Sequence, residues 1–217
     1  MIDIPMKYKS AVNRTTLHTL NKKQNERQPQ TEESAVISSV LKGQKISLGS
    51  SLTGITARLG WKTKNTRCDI NVSAFLLGAD GKVPGDDWFV FYGQTRSPDQ
   101  STVFCAGQAE GSESVTVDFR RLHPSVKKIV FVLTIYEALE HKLHFGMVSD
   151  AWIRILNSND NTELVCFKMT DYYSNVTSMM IGEIYCHNGT WKFNAVGNGV
   201  AKDLAGLCTL YGVQVTD

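Results

Sequence analysis

What most constrains this chain is the stretch DINVSAFLLGADGKVPGDDWFVFYG, residues 69–93. Asp69 and Asn71 alternate with Ile70 and Val72, so the polar pair shares one face of a strand and the hydrophobes take the other. From Ser73 to Leu77 the run becomes almost wholly apolar, as a strand entering a sandwich core does. Ala79-Asp80-Gly81-Lys82 supplies the turn, since Asp-Gly tolerates the positive φ that a tight turn needs. Asp86 and Asp87 then precede Trp88-Phe89-Val90-Phe91-Tyr92. Strands that deliver carboxylate and amide oxygens to a loop edge suggest a hard cation.

The rest of the chain repeats this texture. Beyond residue 33, short β-like runs such as ITARLGW, TVFCAG, VTVDF, WIRILN and ELVCFKM recur at the spacing of an all-β sandwich. Ile129 to Ile135 is nearly continuous hydrophobe and predicts a central strand buried on both faces. EIYCHNGTWKF predicts a hairpin turning at Asn188-Gly189. After Val200 the period changes: Leu204, Leu207, Cys208 and Tyr211 lie at i, i+3, i+4 and i+7, which predicts a helix over 201–211 capping the sandwich. The fold class expected is all-β, a two-sheet β-sandwich with a C-terminal helix and a polar N-terminal arm.

Two segments follow from composition. Residues 1–33 are polar and read as a flexible arm, with a short helix possible over Thr15 to Lys23; residues 34–217 read as the sandwich domain. The arm carries six basic and four acidic residues, so the net charge of +2 resides there and seventeen charges of each sign remain for the domain. That balance argues against nucleic acid or an anionic membrane as partner. No apolar run approaches the ~18 residues that membrane insertion would require. The start MIDIPMKYKS lacks a basic-then-apolar leader, and five widely spaced cysteines without a CxxC pair suit reduced thiols in a cytoplasmic setting.

The order of LGW, D-x-N-x-SAFLL, FVFY, SPD, KIVFVLTIYEA, VSDAWIR, HNG-x-WKF and AVG, over roughly residues 38–213, closely resembles the TerD family, bacterial proteins associated with tellurium resistance and general stress response. The resemblance implies a calcium-binding β-sandwich in the cytoplasm. It further implies a non-enzymatic protein that acts through other proteins, in a stress-response assembly near the inner membrane. It marks Asp69, Asn71, Asp86, Asp87, Ser97, Asp99, Glu110 and Glu113 as the metal set. The chain departs from the family in two places. Asn71 stands where a second Asp is usual, and the acidic loop is reduced to Gly107–Glu113, with only Glu110 and Glu113 as acids. Calcium takes six to eight oxygens and gains affinity from carboxylate charge, so weakened calcium binding is expected, with a metal-free scaffold as the alternative.

Other chemistries read less well. For the eight site residues, the bland alternative is turn chemistry, since Asp, Asn and Ser bond their own backbone. Glu137, His141 and His144 would share a face if helical and could hold a transition metal, although the segment follows a long strand and should be a connection. Cys186 and His187 are adjacent, so in a strand they point to opposite faces and form no nucleophile–base pair. Cys105, Cys166 and Cys208 sit in apolar runs and are expected to be core thiols.

Overall fold

The computed structural model describes residues 38–107 and 111–215. The polar arm, with its expected helix over Thr15 to Lys23, and Glu110 lie outside the described residues. The strands are β1 (Ser38–Val40), β2 (Lys45–Ser47), β3 (Gly54–Thr63), β4 (Ile70–Leu77), β5 (Phe89–Val90), β6 (Thr102–Ala106) and β7 (Ser112–Asp118). They continue as β8 (Lys128–Ile135), β9 (Val148–Asn157), β10 (Glu163–Lys168), β11 (Ser178–His187), β12 (Thr190–Asn194) and β13 (Asn198–Val200), before helix α1 (Leu204–Tyr211). One sheet runs β1-β10-β9-β3-β7-β6; the other runs β2-β12-β11-β8-β4-β5, with β13 also on β11. All pairings are antiparallel except β1 with β10.

Alternation assigns each strand its faces. In β3, Ile55, Ala57 and Leu59 are wholly buried and meet Ile70, Val72, Ala74 and Leu76 of β4 in one core between the sheets. Strand β4 is covered on its other face too. Phe75 and Leu77 join Leu207 and Cys208 of α1 in a second cluster, with the Phe75 ring 4.5 Å from Phe89 and 4.6 Å from Tyr211. Strand β8, central in its sheet, is buried from Ile129 to Ile135 as its continuous hydrophobicity demands.

The turns obey their residues. Asn188 and Gly189 both adopt positive φ, +50° and +74°, which lets β11 return directly as β12. Asp80 accepts from the Lys82 amide at 3.0 Å and Gly81 takes φ +76°, closing the turn after β4. Helix α1 starts at Leu204, the first residue of the apolar stripe and three later than the expected start at 201, because Asp203 is its cap: its carboxylate accepts from the Gly206 amide at 2.8 Å. Phe91 is half-buried, stacked on Phe89 at the sheet edge, where β5 offers only two paired residues. Of the three expected core thiols, only Cys208 is buried. Cys105 is exposed and Cys166 half-buried, because Phe104 takes the inward face of β6 and Val165 and Phe167 that of β10. Among the described residues, no helix is long and apolar enough to cross a membrane.

Candidate metal centre

The seven described members of the oxygen-bearing set do not converge on one point; register divides them between the two ends of the sandwich. On the β6–β7 hairpin, Ala106 faces Glu113 and Thr102 faces Val117. Glu113 and the Ser97-Pro98-Asp99 turn before β6 are therefore separated by more than four residues of strand, roughly 13 Å or more. Asp69 precedes β4 at the end where Ile70 faces Ile135, the same end as Glu113.

At the first end, Glu113 reaches across from the other sheet. Strand β5 pairs only with Ala74 and Phe75, so Val72 lies on an uncovered edge of β4. The Val72 N–H donates to Glu113 Oε2 at 2.7 Å, which satisfies a backbone donor that would otherwise be orphaned. Burial pushes the Glu113 carboxyl above its ordinary range. The Val72 N–H opposes this, and the nearby negative charge of Asp69 adds to it. Asp69 itself is exposed, its carbonyl accepting from the Tyr136 amide at 2.8 Å. Asn71 is half-buried and makes no side-chain hydrogen bond with a described residue; it borders both this site and a groove beside α1. These three residues, with Trp61, Thr66 and Ser112, line a cleft of about 740 Å³.

The second end is built differently. Ser97 is wholly buried, and its hydroxyl donates to Asp99 Oδ1 at 2.7 Å while accepting from the Thr102 amide at 3.0 Å. Asp99 also accepts from the Ser101 amide at 2.9 Å and the His123 amide at 2.8 Å. Burial alone would raise its carboxyl, but those hydrogen bonds overcome it and hold Asp99 below the usual carboxylate range. Asp86 and Asp87 occupy a 3-10 turn before β5, exposed, and Asp86 accepts from the Gln214 amide at 2.8 Å. The His123 ring packs edge-on against Trp88, 5.8 Å between centroids, which ties that turn to the Asp99 loop.

The histidine motif resolves differently from its helical reading. Glu137 takes φ +47°, which breaks any helix, so spacing no longer brings His144 alongside His141. Glu140 replaces it: one ligand atom from each of Glu137, Glu140 and His141 lies within 4.8 Å of the others, all three residues exposed. Arg67 Nη2 lies 3.2 Å from His141 Nδ1. A guanidinium only donates, so Nδ1 accepts and Nε2–H donates to Glu137 at 3.0 Å. The histidine is committed to an Arg–His–Glu chain.

Comparison with known proteins decides the family. The TerD domain model matches residues 37–211. The chain belongs to the TerD family. It is 39% identical to a tellurium resistance protein TerD of an Alcaligenes species over 189 residues, 82% of this chain and 98% of that one. It is 37% identical to general stress protein 16U of Bacillus subtilis, over the same shares of the two chains. Among solved structures, a homologue of telluride resistance protein (TerD) from Streptomyces coelicolor shares the fold with TM-score 0.54 at 20% identity, covering 71% of this chain and 94% of that one. The TerD sandwich thus accounts for the order of motifs from LGW to AVG.

Proposed function

We propose that this TerD protein is a non-enzymatic, cytoplasmic stress-response module that binds calcium at the Asp69–Glu113 end of its sandwich and acts through partner proteins. One observation carries the reading. A half-buried carboxylate and a second, exposed one are placed near each other between the sheets, with no basic side chain paired to either among the described residues. Crowded carboxylates beside an amide oxygen are the donor set of a hard cation, whose charge would relieve their repulsion. Asp69, Asn71 and Glu113 would hold the ion, with Glu113 Oε2 retaining Val72. Stress association comes from the relatives named tellurium resistance and general stress proteins.

With three side chains where calcium wants six to eight oxygens, water and backbone must complete the shell. The dissociation constant expected is about 10⁻⁴–10⁻³ M. Calorimetric titration of calcium into the protein tests this: a binding heat in that range, abolished by Asp69→Ala, supports the reading, and no heat up to ten millimolar sinks it. Magnesium, which demands near-ideal octahedral geometry, is the control and should give far less. A second reading, a metal-free scaffold, draws on the Val72–Glu113 bond, which gives that carboxylate a structural task without any cation. On that reading Asp69→Ala changes neither calcium response nor stability.

A further inference from the structure

The outer face of the β1-to-β6 sheet holds an arrangement that the cation site does not use. Register sets Cys166, Arg154, Arg58, Ser114 and Cys105 in one row across β10, β9, β3, β7 and β6. Their neighbours Ile153, Ile155, Ala57 and Leu59 are buried inward, so this row points outward. Arg58 and Arg154 are direct cross-strand partners, and like charges so placed oppose folding.

The two arginines are held unequally. The Arg154 guanidinium lies 4.6 Å over the Trp152 ring and 3.6 Å from Glu163. Trp152 in turn lies across Gly60, where a Cβ would sit 2.2 Å from the ring, so the platform under Arg154 is fixed. Arg58 is exposed and forms no ion pair or side-chain hydrogen bond with a described residue. The other acid in this part of the face, Asp150, is taken by both Lys62 and Lys168, and Asp118 at the far end of β7 by Arg120. Among the described residues around the row, four cations (Arg58, Arg154, Lys62 and Lys168) meet two carboxylates, Asp150 and Glu163, a surplus of two positive charges.

We infer that the Arg58–Arg154 pair is a docking site for an acidic segment of a partner protein, whose neighbouring Asp or Glu side chains bridge the two guanidiniums. This rests on the reading that the protein acts through partners, and is independent of calcium. Guanidinium forks match carboxylates in two parallel hydrogen bonds, and a flat, cross-strand pair presents two such forks to an extended chain. The face fits neither of the other polyanions. Nucleic-acid binding typically neutralises about 6–10 phosphates and uses stacking rings, whereas the Trp152 ring already carries Arg154. Anionic membranes call for clusters of roughly 4–8 basic residues.

The test is fluorescence anisotropy of a labelled peptide of alternating glutamate and serine, at low salt, against the full chain and its Arg58→Thr variant. The peptide should bind the native chain, and Arg58→Thr should weaken it about tenfold or more. That variant leaves Trp152 and Glu163 in place and should melt no lower than the native protein, because it removes a like-charge pair. Equal binding by both chains, a lowered melting point for Arg58→Thr, or tighter Arg58-dependent binding of oligothymidylate or of phosphatidylserine vesicles would each overturn the inference. Calcium titrations of the same samples keep the failures apart. Loss of peptide binding with the calcium heat intact sinks only the docking site, and the reverse sinks only the cation site.

Discussion

The two ends of this sandwich use the same kinds of residue for opposite purposes. At the Ser97–Asp99 end, three donors are spent on one carboxylate: a buried hydroxyl and two backbone amides converge on Asp99. At the other end, Glu113 receives a single amide and faces the charge of Asp69. A carboxylate surrounded by protein donors is complete and braces the chain. One short of donors and beside its like is incomplete and favours a cation. The count of protein donors, not the presence of Asp or Glu, separates brace from ligand.

The largest effect should come from removing the brace. Asp99→Ala strands the Ser101 and His123 amides and should cost about 3 kcal/mol, since hydrogen bonds to charged groups contribute about 1.5–3 kcal/mol each and are not additive. The melting temperature should fall by roughly 6–12 °C, equally with and without calcium. If calcium restores the loss, Asp99 belongs with the ligands and the division between the ends collapses. Next in size is the calcium response. At a hundredfold excess over the dissociation constant, calcium should stabilise by about 2.7 kcal/mol. Asp69→Ala should erase that increment without lowering the calcium-free melting point, the reverse of Asp99→Ala.

Asn71→Asp sharpens the contrast by adding a charge to the incomplete end only. Calcium should bind roughly tenfold tighter, and the calcium-free protein should melt slightly lower as repulsion grows. Unchanged affinity by calorimetry would place Asn71 outside the shell. The smallest effect is the pH dependence of the calcium-free protein, and the two ends should differ in sign. Glu113 has a raised folded pKa, so the folded state binds its proton more readily. Stability should therefore rise as pH falls through the window just above the ordinary glutamate value of about 4.3. Asp99 has a depressed folded pKa, so its contribution is lost as pH falls below the ordinary aspartate value of about 3.9. Glu113→Gln, which keeps an acceptor for Val72, should flatten the first limb and spare the second in acid-melting curves.

Much of the fold was legible because local pattern and global position agree. The unbroken hydrophobes of Ile129 to Ile135 have one good solution, a strand covered on both faces, and Asn188-Gly189 has one good turn. The site was legible only as a list. Asp69 and Glu113 are forty-four positions apart, and nothing in their spacing says that Glu113 sits at the same end as Asp69 while Asp99 sits at the other. Strand register decides that, and it is fixed by long-range pairing. The exchange of His144 for Glu140 has a similar origin: one left-handed backbone at Glu137 redirects the segment. Cys105 and Cys166 were legible as outward residues, since alternation from Phe104 and from Val165 already turns them away from the core.

The bond from Val72 to Glu113 has a consequence for observing the protein. Most strand amides are protected from solvent exchange by a neighbouring strand, and their protection reports on unfolding. The Val72 amide is protected by one carboxylate from the opposite sheet, at an edge that β5 leaves uncovered. Its exchange rate and its proton chemical shift therefore follow the charge, position and occupancy of that carboxylate. A single backbone resonance becomes a gauge of whatever Glu113 is holding, readable without a label or a substitution.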